Sequence, residues 1–380
     1  MASSYLDNSA TTRPCEAAVA AMNRCLTEEW HNPSAVYKSA VEAHRRLREA
    51  RETLLSAVNG ERCETVFTSG GTEANNLAIL GAVGRMRGKQ VLAVSAVEHP
   101  SVRAAFDELA EQGHDVRVID VDGAGQPDWE ELERALGDGA SLVSCMQVNN
   151  ETGAMPDIPR LRAMTEGRAL LHVDGVQGFM RVPFDMRLTD LYTVSAHKIH
   201  GPKGVGALVY RKGLRLKPQH VGGGQEAGLR SGTENTPGIM GFAAAIGAMR
   251  DMGPDMPERL MARKLRLVDA VRAAVPDVLV NGPAPEDAAP HIVNLGFPGV
   301  RGEVMLHALE GEGVCVSTGS ACSSKKLKVS AVLTAMGIRP QVAEWAVRCS
   351  LSPSTTDDEI DYAAKKAGEL YATLARYQRR

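Results

Sequence analysis

Short apolar runs alternate with helical patterns between about residues 50 and 210, and nothing else in this chain restricts its fold as tightly. Runs of strand length stand at 65–69, 91–95, 116–121, 142–148, 169–174 and 191–195. Between the first two, residues 72–86 place Leu77, Ala78, Leu80 and Val83 on one side of a helix, and a second helix is expected from about Ser101. Strands separated by helices have no hairpin to join them, so they pair in parallel through crossovers. The expected fold is therefore α/β, with a large domain whose mostly parallel sheet carries helices on both faces. Ligands in such folds bind beyond the carboxyl ends of the strands. The turns that follow the strands are where the chemistry belongs.

The pattern changes after about residue 250. The run Asp251-Met-Gly-Pro-Asp-Met-Pro257 is a breaker-rich connection, and a helix over 258–275 follows, with Leu260, Leu265, Leu267, Val268 and Val271 apolar. Residues 281–290 read as a loop and 291–297 as an alternating strand. Thr356-Asp-Asp-Glu359 is a capping box, and Ile360, Ala364, Ala367, Leu370 and Leu374 give the helix after it an apolar face. This region is expected to form a second, smaller α+β domain, and 380 residues suffice for two.

Composition removes several classes of function. A net charge of -3 offers no footprint for nucleic acid or an anionic membrane. No run approaches the roughly 20 apolar residues of a membrane span, and the N-terminus lacks the pattern of a signal peptide. The seven cysteines, at 15, 25, 63, 145, 315, 322 and 349, form no C-x-x-C pair and are odd in number. That argues against a disulfide framework or structural zinc and suits a reducing cytoplasm.

Lys198 lies in Leu191-Tyr-Thr-Val-Ser-Ala-His-Lys-Ile-His-Gly-Pro-Lys-Gly-Val-Gly206, just past a predicted strand. A lysine alone is most often a solvated charge, but one held at a buried strand end can form a Schiff base with a carbonyl, most plausibly that of pyridoxal phosphate. Other strand ends supply complementary groups. In His172-Val-Asp-Gly-Val-Gln177, Asp174 can face a pyridine nitrogen and Gln177 a phenolic oxygen, although an aspartate here can equally cap a helix. Asp174 and Lys198 end neighbouring strands, and that convergence is not expected of a cap. Ser69-Gly-Gly-Thr-Glu-Ala-Asn75, with Gly71 and Thr72, joins a strand to a helix and suits a phosphate, or is a plain turn capped by Thr72. His99 in Val97-Glu-His-Pro100 can stack on a planar ring and shuttle protons, or cap the helix it begins.

Asn150, in Asn149-Asn-Glu-Thr-Gly153, can bridge a ring oxygen and a substrate carboxylate, or belong to a polar turn. The stretch Gly222-Gly-Gly-Gln-Glu-Ala-Gly-Leu-Arg-Ser-Gly-Thr-Glu-Asn235 is glycine-rich enough for Thr233 and its backbone to bind phosphate, in its own subunit or a partner's. Cys322 sits among small polar residues, with two lysines following, a setting that favours the thiolate. Arg348 in an apolar strand needs a partner, either a substrate α-carboxylate or an internal acid. The histidines at 197 and 200 lack the carboxylate support of a metal site, so no metal is expected, and His197 is better used to hold phosphate beside Lys198.

Together these segments resemble the cysteine desulfurases of the class V aminotransferase group. The matching stretches include Tyr5-Leu-Asp-Asn-Ser-Ala-Thr-Thr12, Asn32-Pro-Ser34, Thr68-Ser-Gly-Gly-Thr-Glu73, Glu98-His99, Asn149-Asn-Glu151, His172-Val-Asp174, Ser195-Ala-His-Lys-Ile-His-Gly-Pro-Lys-Gly204, Arg230-Ser-Gly-Thr233 and Ser317-Thr-Gly-Ser-Ala-Cys-Ser-Ser324. The loop around Cys322 resembles the longer form of the housekeeping and nitrogen-fixation branch. The resemblance implies a fold-type-I homodimer binding pyridoxal 5′-phosphate. It implies a large domain of residues 14–254 and a small domain of residues 1–13 and 255–380 that carries the cysteine loop.

Carried over by position, Lys198 would hold the cofactor and move the substrate Cα proton, and His99 would stack on the ring as acid or base. Asp174 would pair with the ring nitrogen and Gln177 with the ring oxygen. Gly71, Thr72, Ser195, His197 and a partner subunit's copy of Thr233 would bind phosphate. Asn32, Asn150 and Arg348 would orient the carboxylate of L-cysteine. Cys322 would take the substrate sulfur as a persulfide, releasing L-alanine, and pass it to a sulfur-acceptor protein for iron–sulfur cluster or thiolated tRNA or cofactor synthesis, with a possible role as iron–sulfur ligand during transfer. A selenocysteine lyase, another class V enzyme of the same cofactor, or a silent scaffold homologue are the alternatives. Three features depart from the family pattern: His31 replaces a glycine, Cys349 a phenylalanine, and the chain closes at Tyr377-Gln-Arg-Arg380 without a scaffold-docking extension.

Overall fold

The structure, a computed structural model, describes residues 4–318 and 329–378; Cys322 and its neighbours in 319–328 lie outside the described residues. Seven strands form one sheet in the order Cys63–Thr68, Gly206–Arg211, Leu191–Ser195, Leu170–Asp174, Ala140–Ser144, Val91–Ser95, Asp115–Ile119. Gly206–Arg211 runs antiparallel to both its neighbours, and the remaining pairs are parallel. The central strands are buried on both faces, which explains why they read as continuous apolar runs rather than alternating ones.

The helix Gly71–Val83 packs on the sheet and is buried nearly all round, consistent with its Ala, Gly, Ile and Leu content. Gly81 is needed there, because a Cβ would stand 3.0 Å from the Lys217 carbonyl oxygen. Other helix starts follow local chemistry. The Asp128 side chain accepts the N–H groups of Glu130 and Glu131 at the start of Trp129–Gly137. The expected capping box is present, with Glu359 reaching the Thr356 N–H at 2.7 Å and Thr356 Oγ1 accepting from the Glu359 N–H at 3.2 Å.

The connection is shorter than the expected 251–257, spanning only 252–255, and beyond it the helices Met256–Ala274 and Asp357–Gln378 pack together. Arg266 joins them by pairing with Asp361 at 2.6 Å. A three-stranded antiparallel sheet, ordered Ala346–Ser350, Ile292–Gly296, Leu279–Val280, lies in this region. The N-terminal strand Ser4–Tyr5 pairs in parallel with Val314–Cys315, and Asp7 bridges to Ser350. The first residues of the chain thus run beside the last third, and residues 8–12 continue from there to the carboxyl edge of the large sheet. Among the described residues no helix is long and apolar enough to cross a membrane.

Two strand ends differ from expectation. The run 142–148 ends its ladder at Ser144, so Cys145 is buried just beyond the strand rather than inside it. Residues 145 and 147 still donate backbone N–H groups to His172 and Asp174, which keeps the run apolar past the ladder. The edge strand is Asp115–Ile119, not 116–121.

Candidate functional site

The parallel order brings the predicted residues to one edge. Asp174 closes one strand and Ser195 the next, with Asp174 in register with Thr193. A 3-10 turn, Ala196–Lys198, carries Lys198 past the strand end. Its Nζ donates to the Ser9 carbonyl and, at 2.9 Å, to that of Ala10. The N-terminal segment is anchored there by Thr12, whose N–H donates to the His197 carbonyl at 2.9 Å and whose Oγ1 accepts from the His200 N–H at 2.7 Å. Gln177 Nε2 donates to the same Ser9 carbonyl at 2.9 Å, so Gln177 and Lys198 meet on one oxygen.

The same edge holds a cradle for a phosphate. The helix begins at Gly71 with Gly70 as its N-cap and no side-chain cap, so Thr72 lies inside the first turn rather than at the cap. A Cβ on Gly71 would stand 2.7 Å from Val176 Cγ2 and 3.7 Å from Ser195 Cβ. The helix N-terminus therefore rests directly on the turn after Asp174 and beside the strand end at Ser195, which a larger residue would prevent. Among the described residues, Ser195 Oγ is buried there with no hydrogen-bond partner. His197, bonded through Nδ1 to Thr11 Oγ1 at 3.2 Å, is pushed down to about 4 by burial and by the positive charges of Lys198, Lys203 and Arg181. An orphaned hydroxyl, uncapped N–H groups and an excess of positive charge fit a phosphate.

The ring-facing groups are also together. Asp174 is buried, accepting from the Val176 N–H at 2.9 Å and from Asn75 Nδ2 at 2.8 Å. His99 caps the helix Pro100–Glu111 through Nδ1, which accepts from the Ser101 N–H at 3.1 Å. Burial lowers the His99 pKa and Lys198 adds to this, while Asp174 acts in the opposite direction. Asp174 is linked to His99 through Asn75 and Ser101, by contacts of 2.8, 2.9 and 2.8 Å. Capping and ring-facing roles for His99, posed as alternatives, are compatible, because the cap uses Nδ1 and leaves Nε2.

Arg348 shows both of its expected faces. Its guanidinium donates to Asp7 Oδ1 at 2.7 Å and to the Asn150 backbone carbonyl at 2.9 Å, while Nε is buried without a partner among the described residues. The internal salt bridge is thus present, and it brings Arg348 against Asn150. Cys349 is buried, and burial pushes its thiol up to about 12, so it packs as a small hydrophobe. Asn32 and Thr233 stand apart from these groups. Asn32 closes a local turn by accepting the Ser34 N–H at 2.9 Å, and Thr233 is exposed on the glycine-rich loop. That loop is tied to the first turn of the phosphate-cradle helix by Arg230, which donates to Glu73 at 2.9 Å. His197 and His200 make separate contacts, and no group of three or more potential metal ligands occurs among the described residues.

Sequence reasoning passed over several residues of the site. Arg181 is 1% exposed and donates to Gln177 Oε1 at 3.1 Å and to the Lys198 carbonyl. Asp7, Asn75 and Ser101 each bond a predicted residue. The available signal at Asn75 was a polar residue on the otherwise apolar buried side of its helix. Asp7 had none beyond its motif.

Comparison with known proteins accords with this geometry. The aminotransferase class-V family model matches residues 4–363. A cysteine desulfurase of Trichormus azollae is 37% identical over 377 residues, covering 97% of this chain and 93% of that one. The structure of a NifS-like protein superposes with a TM-score of 0.91 at 32% identity, covering 98% of this chain and all of the other. A structure described as SspA in complex with cysteine superposes with a TM-score of 0.80 at 28% identity, over 93% of this chain and all of the other.

Proposed function

The chain belongs to the class-V aminotransferase family, and on that premise we propose that it is a pyridoxal-phosphate-dependent cysteine desulfurase, removing sulfur from L-cysteine to give L-alanine. The observation that carries the reading is the convergence of Lys198, Asp174 and His99 beside the orphaned Ser195 hydroxyl and the Gly71 helix start. The cofactor, when bound, supplies an electron sink for bonds at the substrate Cα.

The protein's own groups do the rest. The helix N-terminus at Gly71 and Thr72, with Ser195 and His197, would hold the phosphate. Asp174, kept in place by Asn75 and the Val176 N–H, would keep the ring nitrogen protonated. Gln177, steadied by Arg181, would face the ring oxygen. Lys198 would hold the cofactor at its aldehyde carbon and, once freed, move the substrate Cα proton. The Ser9 and Ala10 carbonyls already collect its amine at one point. Asn150 and Arg348, with Asn32, would orient the substrate carboxylate. Cys322 would attack the substrate sulfur as a thiolate: the Cβ–S bond breaks, the sulfur stays on Cys322 as a persulfide, and protonation at Cβ yields alanine.

Val221, 82% exposed beside the glycine-rich loop, and the exposed Trp30 and Val36, at 66% and 96%, give apolar surface that supports a homodimer in which Thr233 serves the partner's phosphate. The pairing of Ser4–Tyr5 with Val314–Cys315 supports a domain division of 14–254 against 1–13 with 255–380. The free cysteines fit a reducing cytoplasm, and a sulfur-acceptor protein would take the product sulfur. Incubating the cofactor-loaded protein with L-cysteine should give alanine and sulfur in equal amounts. Pyruvate in place of alanine would overturn the reading.

A further inference from the structure

Asn75 stands on the helix Gly71–Val83, 1% exposed, between two groups assigned above to the cofactor ring. Its amide nitrogen donates to Asp174 Oδ2 at 2.8 Å and to Ser101 Oγ at 2.9 Å. The orientation of that amide follows from chemistry, since an ionised carboxylate only accepts and must see the nitrogen. Both N–H bonds of the amide are thereby used. Ser101 Oγ lies 2.8 Å from His99 Nδ1, and the Ser101 backbone N–H donates to the same ring nitrogen at 3.1 Å. With Asn75 donating to its oxygen, the Ser101 hydroxyl has its own proton left for His99. Two donors then converge on Nδ1, which is therefore the unprotonated nitrogen, and the ring proton sits on Nε2.

We propose that Asn75 is a positioning residue that fixes His99 as the neutral Nε2–H tautomer while it holds Asp174, so that one amide sets the proton arrangement of both. The inference rests on the assignment of His99 and Asp174 to the active site. His99 consequently presents a donor to the substrate and acts first as an acid, becoming a base only after it has given up that proton. A second proton cannot enter at Nδ1 without breaking the bond to the Ser101 N–H and turning the hydroxyl.

The charged groups around His99 come from three elements. Asp174 ends the strand Leu170–Asp174, Lys198 ends the turn after Leu191–Ser195, and Glu98 directly precedes the histidine. The Glu98 carboxyl is pushed well above its usual range, by burial first and by Asp174 next, with Arg103 acting the other way. Asp174 alone would favour an imidazolium; burial opposes it first, Lys198 adds to this, and the donors at Nδ1 act in the same direction.

The test is a titration of the histidine rings by nitrogen NMR on the cofactor-loaded protein, with the His99 signals identified by their loss in His99→Gln. The wild type should show an unprotonated Nδ1 and a protonated Nε2 at neutral pH. Asn75→Leu keeps about the same volume and removes the donor to Ser101 without adding a charge beside Asp174. The Ser101 hydroxyl is then free to turn away, and the His99 midpoint should rise by at least about one unit. Ser101→Ala removes one donor to the neutral ring and should raise the midpoint by less. A wild-type His99 protonated on Nδ1 would overturn the proposal. So would an unchanged midpoint in a folded Asn75→Leu protein or, if that variant does not fold, in Ser101→Ala. None of these signals depends on turnover. A protein that makes no alanine but shows the expected shifts would therefore count against the desulfurase reading and leave the tautomer assignment standing.

Discussion

Arg348→Ala removes a guanidinium that the structure gives two tasks, and each predicts its own loss. The Arg348 and Asp7 side chains are 6% and 21% exposed, so the variant strands a largely buried carboxylate. Breaking a buried pair costs about 3–5 kcal/mol, and the residual hydration of Asp7 argues for the lower end. For a chain of 380 residues the unfolding entropy is about 0.8 kcal/mol per kelvin, so the melting temperature should fall by about 4 °C. Substrate binding should suffer separately. A charge-assisted hydrogen bond to the cysteine carboxylate contributes about 1.5–3 kcal/mol, and about 1.4 kcal/mol is one decade, so KM should rise at least tenfold. Arg348→Lys should restore only part of this, because an ammonium cannot reproduce the planar fork. Asp7→Asn should lower the melting temperature without raising KM. Calorimetry and steady-state kinetics on the same preparations provide the assay. A lowered melting temperature with an unchanged KM would mean that Arg348 serves only Asp7 and Asn150, and the substrate role would be withdrawn.

Three other outcomes are expected. Borohydride reduction of the loaded protein followed by peptide mapping should place the pyridoxyl group on Lys198, and label on Lys203 instead would refute that assignment. Gly71→Ala drives a Cβ to 2.7 Å from Val176 Cγ2 and should weaken pyridoxal-phosphate binding at least tenfold by equilibrium dialysis; unchanged affinity would mean the cradle lies elsewhere. His172, buried between Ser144 Oγ and Thr193 Oγ1, is pushed down to about 4 from 6.5 by burial. Between those values the unfolded chain binds a proton that the folded one does not, so stability is full above pH 6.5 and falls as the pH drops, by about 2 kcal/mol at pH 5. His197 titrates over the same window, so His172→Gln should remove only part of the pH dependence of the urea midpoint, and an unaltered dependence would contradict the burial argument.

The sheet and the strand-end positions of Lys198 and Asp174 were legible because strand alternation and the carboxyl-edge rule are local signals. What was hidden is contact between distant segments. Asp7 and Arg348 are 341 residues apart, and an arginine in a strand announces a need for a partner without naming it. The Lys198 amine is collected by backbone carbonyls of Ser9 and Ala10, which have no side-chain signature. Gly175 and Gly178 carry no side-chain signal in the sequence. In the structure a Cβ on the first would meet the Tyr192 ring at 2.1 Å, and one on the second Gln147 Oε1 at 2.1 Å. Tyr192 and Gln147 are themselves joined by a 2.6 Å hydrogen bond beneath the turn that carries Gln177. Such packing is decided by strand register, which no single segment specifies.

The claim that this chain moves sulfur from cysteine onto its own thiol is tested most directly by mass spectrometry of the loaded protein after one turnover with L-cysteine, in the absence of any added thiol. The account predicts one added sulfur atom on Cys322, alanine in equal amount, and neither in Cys322→Ser, which should still bind the cofactor. Near-normal alanine from Cys322→Ser, or the added sulfur on another cysteine such as Cys315, would contradict it.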